Sequence, residues 1–205
     1  MFDLTDTELA YIAGIIDGEG CILISRSVTI DEHYEIEVVN YNLRLHIVNT
    51  NLDVIEWLKN KLEEGVVSKR KPKNCLQQYT YHLSGDRVAL LCEKLLPYLI
   101  IKKEQAINAI EFYRAKLNFK SRYGYGSFSR IEDDDIRNTI LERLESYKLI
   151  IHKLNVRYNK PEKERKVYDS KLEKKLNRLC SFLFSTEEEY KLYIEKKQHK
   201  ENHNV

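Results

Sequence analysis

The segment Leu9-Ala10-Tyr11-Ile12-Ala13-Gly14-Ile15-Ile16-Asp17 constrains this chain more than any other stretch. Read at helical period it is apolar nearly all the way round, so it has to be buried by protein. A helix from about Asp6 to Asp17 makes only about three turns. That is too short for a membrane span, which takes roughly 20 residues. Thr5-Asp6-Thr7-Glu8 supplies its start, because a hydroxyl followed three residues later by a carboxylate is a capping box. Gly18-Glu19-Gly20 supplies its end, with glycine available for a left-handed turn.

Two features of this helix are unfavourable in isolation. Ala10, Gly14 and Gly18 recur at every fourth position, with Ala13 beside them, and form a stripe of small residues. An interior glycine costs about 0.8–1 kcal/mol against alanine. Close approach of another backbone is one reason to carry it, as in a crossing of i±4 ridges. The plainer reading is relief of crowding against a neighbouring core helix. Asp17 and Glu19 also fall at the negative end of the helix dipole, where each acid costs about 0.3–1 kcal/mol. A bound cation would compensate for them; solvated surface acids are the plainer reading.

Downstream, two segments alternate with a period of two. In Ile22 to Ile30 the even positions are mostly apolar, and in Asn40 to Ile47 the alternation is complete. Each predicts a strand with one face on a core and one exposed, joined by a turn at Asp31-Glu32-His33. Leu52 to Glu64 predicts a helix closed by Gly65. Val66 to Lys71 and Gln77 to Leu83 predict a second strand pair, split by Pro72-Lys73-Asn74, and Arg87 to Leu95 and Lys102 to Asn118 predict two further helices. The fold class is α+β with an antiparallel sheet. The expected division is a core at 1–119 and a basic helical C-terminal extension at 120–205. Within that extension, Ser121 to Ser127 is expected to be a flexible loop, Ile131 to Tyr158 one long helix, and Asn159 to Lys171 a charged linker before another helical stretch. No internal repeat is present; nothing in the second half resembles residues 9–20.

Charge is unevenly spread. Residues 1–119 carry 14 Lys+Arg against 17 Asp+Glu, and residues 120–205 carry 20 against 15. The basic second part suits a polyanionic partner. Cys21, Cys75, Cys92 and Cys180 are far apart and form no CxxC pair, which predicts neither a zinc site nor a disulfide framework. The opening MFDLTDTELA has acids where a signal peptide has bases. The expectation is an intracellular protein with no membrane partner, in a prokaryotic or viral-host cytoplasm or an organelle interior.

Ile12-Ala13-Gly14-Ile15-Ile16-Asp17-Gly18-Glu19-Gly20 resembles the motif that names the LAGLIDADG homing endonucleases. Leu96 to Ala106 resembles the family's second signature, ahead of its last core helix. The likeness covers about residues 5–119. It implies an αββαββα fold whose sheet forms an antiparallel saddle on double-stranded DNA. It also implies paired motif helices and a metal-dependent endonuclease, carried by a mobile element such as an intron. Only one motif is present, so the expected species is a homodimer on a near-palindromic site.

On this likeness Glu19 is the catalytic metal ligand, with the Gly18 carbonyl beside it and Mg²⁺ or Mn²⁺ as the cofactor. Lys102 matches a basic residue near the active site, and Asn49 a polar position that orders water. Ala10, Ala13, Gly14 and Asp17 would lie at the dimer interface. One departure is Asp53, at a position that is basic in some members; Arg44 or Lys69 would have to compensate, or activity would be weaker. DNA contacts are expected from Ser25, Ser27, Thr29, Asn40, Asn42, Arg44, His46, Lys69, Arg70, Lys71, Gln78, Thr80 and His82. This is a hydrogen-bonding set suited to the major groove, with Lys71, Lys73 and the basic C-terminal part on phosphates. The alternatives that keep the fold are a maturase acting on intron RNA and a DNA-binding protein that does not cut.

Overall fold

The computed structural model describes residues 2–33, 35–73, 75–123 and 131–157, all within one compact unit bounded by Met1 and Lys160. The order is α1 (Asp6–Glu19), β1 (Gly20–Asp31), β2 (Ile36–Asn49), α2 (Leu52–Leu62), β3 (Val66–Arg70), β4 (Gln78–Ser84), α3 (Asp86–Leu95), α4 (Lys103–Tyr123) and α5 (Asp134–Arg157). Four antiparallel strands lie in the order β1-β2-β4-β3.

The capping box at Thr5 forms: the Glu8 carboxylate accepts from the Thr5 N–H at 2.9 Å, and the Glu8 N–H donates back to Thr5 Oγ1 at 3.3 Å. Lys61 on α2 pairs with the same carboxylate and is the first cause that holds it down to about 2. At its other end α1 runs on to Glu19 instead of stopping at Asp17, and it does not close in a left-handed turn. Gly20 is extended, with φ −77° and ψ 151°. The glycine is required by crowding, since a Cβ there would lie 2.7 Å from the Ile16 carbonyl oxygen. Likewise α2 ends earlier than Gly65. Glu63 takes the left-handed cap position at φ 55°, and Gly65 is needed because a Cβ would meet the His82 carbonyl and the Tyr81 ring.

The strand period is realised on one side of the sheet. Ile22, Ile24, Tyr41, Leu43, Leu45, Ile47, Tyr81 and Leu83 are buried against the helices in one hydrophobic core. β2 begins at Ile36, four residues before the expected strand. Only Arg44–Asn49 of β2 pair with β4, so the earlier residues form with β1 a two-stranded ribbon.

The expected division at residue 119 falls inside α4, and residues 121–123 are helical, not loop; residues 124–127 lie outside the described part. Beyond it, α5 contributes to the same core. Ile140, Leu144, Tyr147 and Ile151 recur at helical spacing and are buried. The Tyr41 hydroxyl donates to Glu145 at 2.9 Å, and Asn155 Nδ2 donates to the Ile22 carbonyl at 2.7 Å. The expected linker at Asn159–Lys171 and the helix after it lie outside the described residues. Among the described residues no helix is long and apolar enough to cross a membrane.

Candidate active site and nucleic-acid face

The two acids at the foot of α1 have opposite surroundings. Asp17 is bound within its own chain: its carboxylate accepts the backbone N–H groups of Ile100, Ile101 and Lys102 at 2.8, 3.2 and 2.8 Å. Asp17 therefore clamps the approach to α4 within its own chain. The clamp also explains why an acid is tolerated at the negative end of a helix, since three donors neutralise it. Glu19, two residues on, is exposed, and the last turn of α1 contains no basic residue.

Lys102 is brought to the same place. Its Nζ donates to the Asp17 carbonyl oxygen at 2.7 Å. Burial pushes its amine down from the ordinary lysine range, while Asp17, Cys21 and Glu19 pull the other way. A half-buried cation thus stands within the electrostatic reach of Glu19. Among the described residues no group of three or more His, Cys, Asp or Glu could hold a metal ion. One chain offers an exposed carboxylate and the carbonyl at the end of a helix, an incomplete oxygen set.

Along the outward face of α1, Ala10, Gly14 and Gly18 are exposed. A Cβ at Gly14 or Gly18 would meet nothing within 4 Å. Neither glycine is needed for packing inside the chain, which removes the crowding explanation. Ala13 is different. It is 0% exposed and belongs to the chain's own core, so it cannot lie at a dimer interface as expected; it sits one position away from Gly14 and turns inward. Exposed apolar side chains of Tyr11, Ile100 and Ile101 are found on α1 and on the segment held by Asp17.

Asn49 ends β2, and its side-chain oxygen accepts the Asn51 N–H at 2.8 Å. Asn51 in turn caps α2 by accepting from the Asp53 N–H at 2.8 Å. Asp53 occupies the first turn of α2, where the helix dipole favours an acid. That gives the departure at this position a local reason.

Most of the expected DNA-contacting residues share the face of the sheet turned away from the core. The register sets Ser25 beside Asn42, Ser27 beside Asn40, Arg44 beside Ser84 and His46 beside His82. Gln78 and Thr80 continue the row on β4, with Arg70 and Ser68 across from them on β3, and Thr29 lies farther out on the ribbon opposite Val38. Lys69 has the other parity: it pairs with Tyr79 and shares the side on which Tyr81 is buried. Lys71 follows the end of β3 and is exposed. Ser68 and Cys21, both on the open face by register, were not anticipated. No local signal points to Ser68, because Val66 and Val67 are both apolar and leave the parity of β3 open.

A four-stranded open antiparallel sheet, covered on one face by helices and led into by an apolar helix ending in acids, is the architecture of the LAGLIDADG homing endonucleases. The chain belongs to the LAGLIDADG endonuclease family, whose sequence profile matches residues 12–115. Among solved structures, the archaeal intron-encoded homing endonuclease I-Vdi141I, complexed with DNA, is similar at a TM-score of 0.55 and 20% identity, over 87% of this chain and 95% of that one. The homing endonuclease I-CvuI, in complex with the I-CreI target in the presence of Mg and with the DNA not cleaved, is similar at a TM-score of 0.53 and 20% identity, over 72% and 82%. No curated protein matches the chain in sequence.

Proposed function

We propose that two copies of this chain pair through the outward face of α1 and cut both strands of a long, near-palindromic DNA site with the help of Mg²⁺ or Mn²⁺. The observation that carries this reading is the empty space beside Gly14 and Gly18, immediately above an exposed Glu19. Glycines with no use inside the chain have a use if a second backbone crosses there. Such a crossing sets the two Glu19 carboxylates near one another, completes the oxygen set that one chain lacks, and covers Tyr11, Ile100 and Ile101.

In that assembly Glu19 and the Gly18 carbonyl would hold the cation. A divalent ion bound there supplies an activated water and a counter-charge for the leaving oxygen. Lys102, fixed by its bond to the Asp17 carbonyl, presents positive charge toward the reacting phosphate and stabilises the charge that builds on it. Asn49 orders water near the end of β2. The outward face from Ser25 through His46 to His82, with Gln78, Thr80 and Arg70, reads base edges in the major groove; Lys71 and Lys73 hold the sugar-phosphate backbone. Lys69, of opposite parity, contributes only from the flank of the sheet.

Glu19→Gln tests the reading. Cutting of DNA carrying the chain's own target in Mg²⁺ should fall by at least about a thousandfold, with DNA affinity largely kept. Unchanged cutting would remove Glu19 from the chemistry.

A further inference from the structure

One row across the open face of the sheet is unlike the rest. His46 on β2 and His82 on β4 are register partners, and their rings meet edge to face with centroids 4.6 Å apart. Ser68 on β3 lies 2.8 Å from His82 Nε2 through its hydroxyl oxygen, which leaves Nδ1 as the free nitrogen of that ring. On β1 the partner of His46 is Cys21, two residues beyond Glu19. The row therefore lies close to the candidate catalytic end of the molecule.

The surroundings of His46 decide its charge. The titratable or charged groups around it are Cys21 on β1, Arg44 on its own strand and His82 on β4; β3 contributes only the Ser68 hydroxyl to the cluster, and the other side of the sheet is apolar core. Burial, first, and then His82 and Arg44 hold His46 below the ordinary histidine range. The free protein therefore keeps this ring neutral near pH 7, with one donor and one acceptor nitrogen. A DNA groove brings the opposite field, because phosphates favour the protonated ring. Protonated, the ring can only donate, so the base edge that matches it is one that offers acceptors alone, as guanine does with N7 and O6.

We propose that His46 and His82, braced by Ser68, form a proton-dependent base-reading unit, so that the base preferred opposite this row changes with pH while the rest of the recognition sequence does not. The inference rests on the DNA-reading role of this face. The sign follows from linkage. DNA raises the pKa of His46 above its value in the free protein, so binding takes up a proton and tightens as pH falls through the value in the complex. Each proton taken up can change affinity by at most about tenfold per pH unit.

The test is selection from a pool of randomised double-stranded DNA by the full chain, in Ca²⁺, at about pH 6 and about pH 8, for the wild type and His46→Gln. Glutamine keeps a donor and an acceptor but does not titrate in this range. The expected result is a common recognition sequence at both pH values, with one symmetric pair of positions moving toward guanine at the lower pH and holding still in His46→Gln. Identical preferences at both pH values, or a shift that persists in His46→Gln, would overturn the inference while leaving DNA recognition intact. If no sequence is enriched at either pH, the DNA reading of the face itself fails, and this inference with it.

Discussion

Gly14 and Gly20 belong to the same short segment and meet opposite surroundings. At Gly20 the chain's own Ile16 carbonyl leaves no room for a Cβ, whereas at Gly14 and Gly18 there is open space. The acids divide the same way: Asp17 is held by three backbone donors, and Glu19 is exposed. One side of α1 is explained by the fold of the single chain. The other side has a stripe of small residues and a carboxylate that the single chain does not use. Within α1, residues of the same chemistry differ in what the fold does with them according to the side of the helix they occupy.

Four substitutions can break or sharpen that contrast. The largest effect is expected on the chemistry. Lys102→Met should lower cutting by about a hundredfold without changing the oligomeric state, measured by single-turnover cleavage. A change of a few-fold only would return Lys102 to a structural role as the partner of Asp17. Next comes Asp17→Ala, which strips the N–H groups of Ile100, Ile101 and Lys102 of their acceptor. It should cost about 2 kcal/mol in denaturant unfolding; a neutral outcome would show that the clamp is replaced by water.

The glycines give effects of comparable or smaller size and the sharpest contrast. Gly20→Ala should destabilise the protomer by about 1–3 kcal/mol, because backbone has to move. Gly14→Ala should do the reverse, raising the helix's intrinsic stability by about 0.8–1 kcal/mol while weakening association. Urea unfolding at concentrations low enough to keep the variant monomeric reads the first quantity, and dilution-dependent sedimentation reads the second. If both substitutions destabilise alike, the two sides of α1 are not distinct.

Much of this was legible in the residues alone. The capping box, the four strands and the core helices follow from period and caps, and the family from residues 12–20. What escaped was decided by contacts between segments distant in the chain. Ala13 looked equivalent to Gly14 in a stripe of small residues, yet one position turns a side chain through 100° on a helix and put it in the core. Asp17 found its partners at Ile100–Lys102, which no local pattern announces. Lys69 was grouped with Arg70 by composition, although alternate strand residues point to opposite faces. The extension looked separable because its charge differs, but the apolar positions of α5 lie at helical spacing and join the common core.

The central claim is that one active assembly needs two chains, each giving one Glu19 across the open face of α1. Sedimentation of the cutting-competent protein on its DNA measures this directly. The expected result is two chains on each cleaved site, with double-strand cutting lost when Gly14→Leu holds the protein monomeric. A monomer that cuts both strands would contradict it.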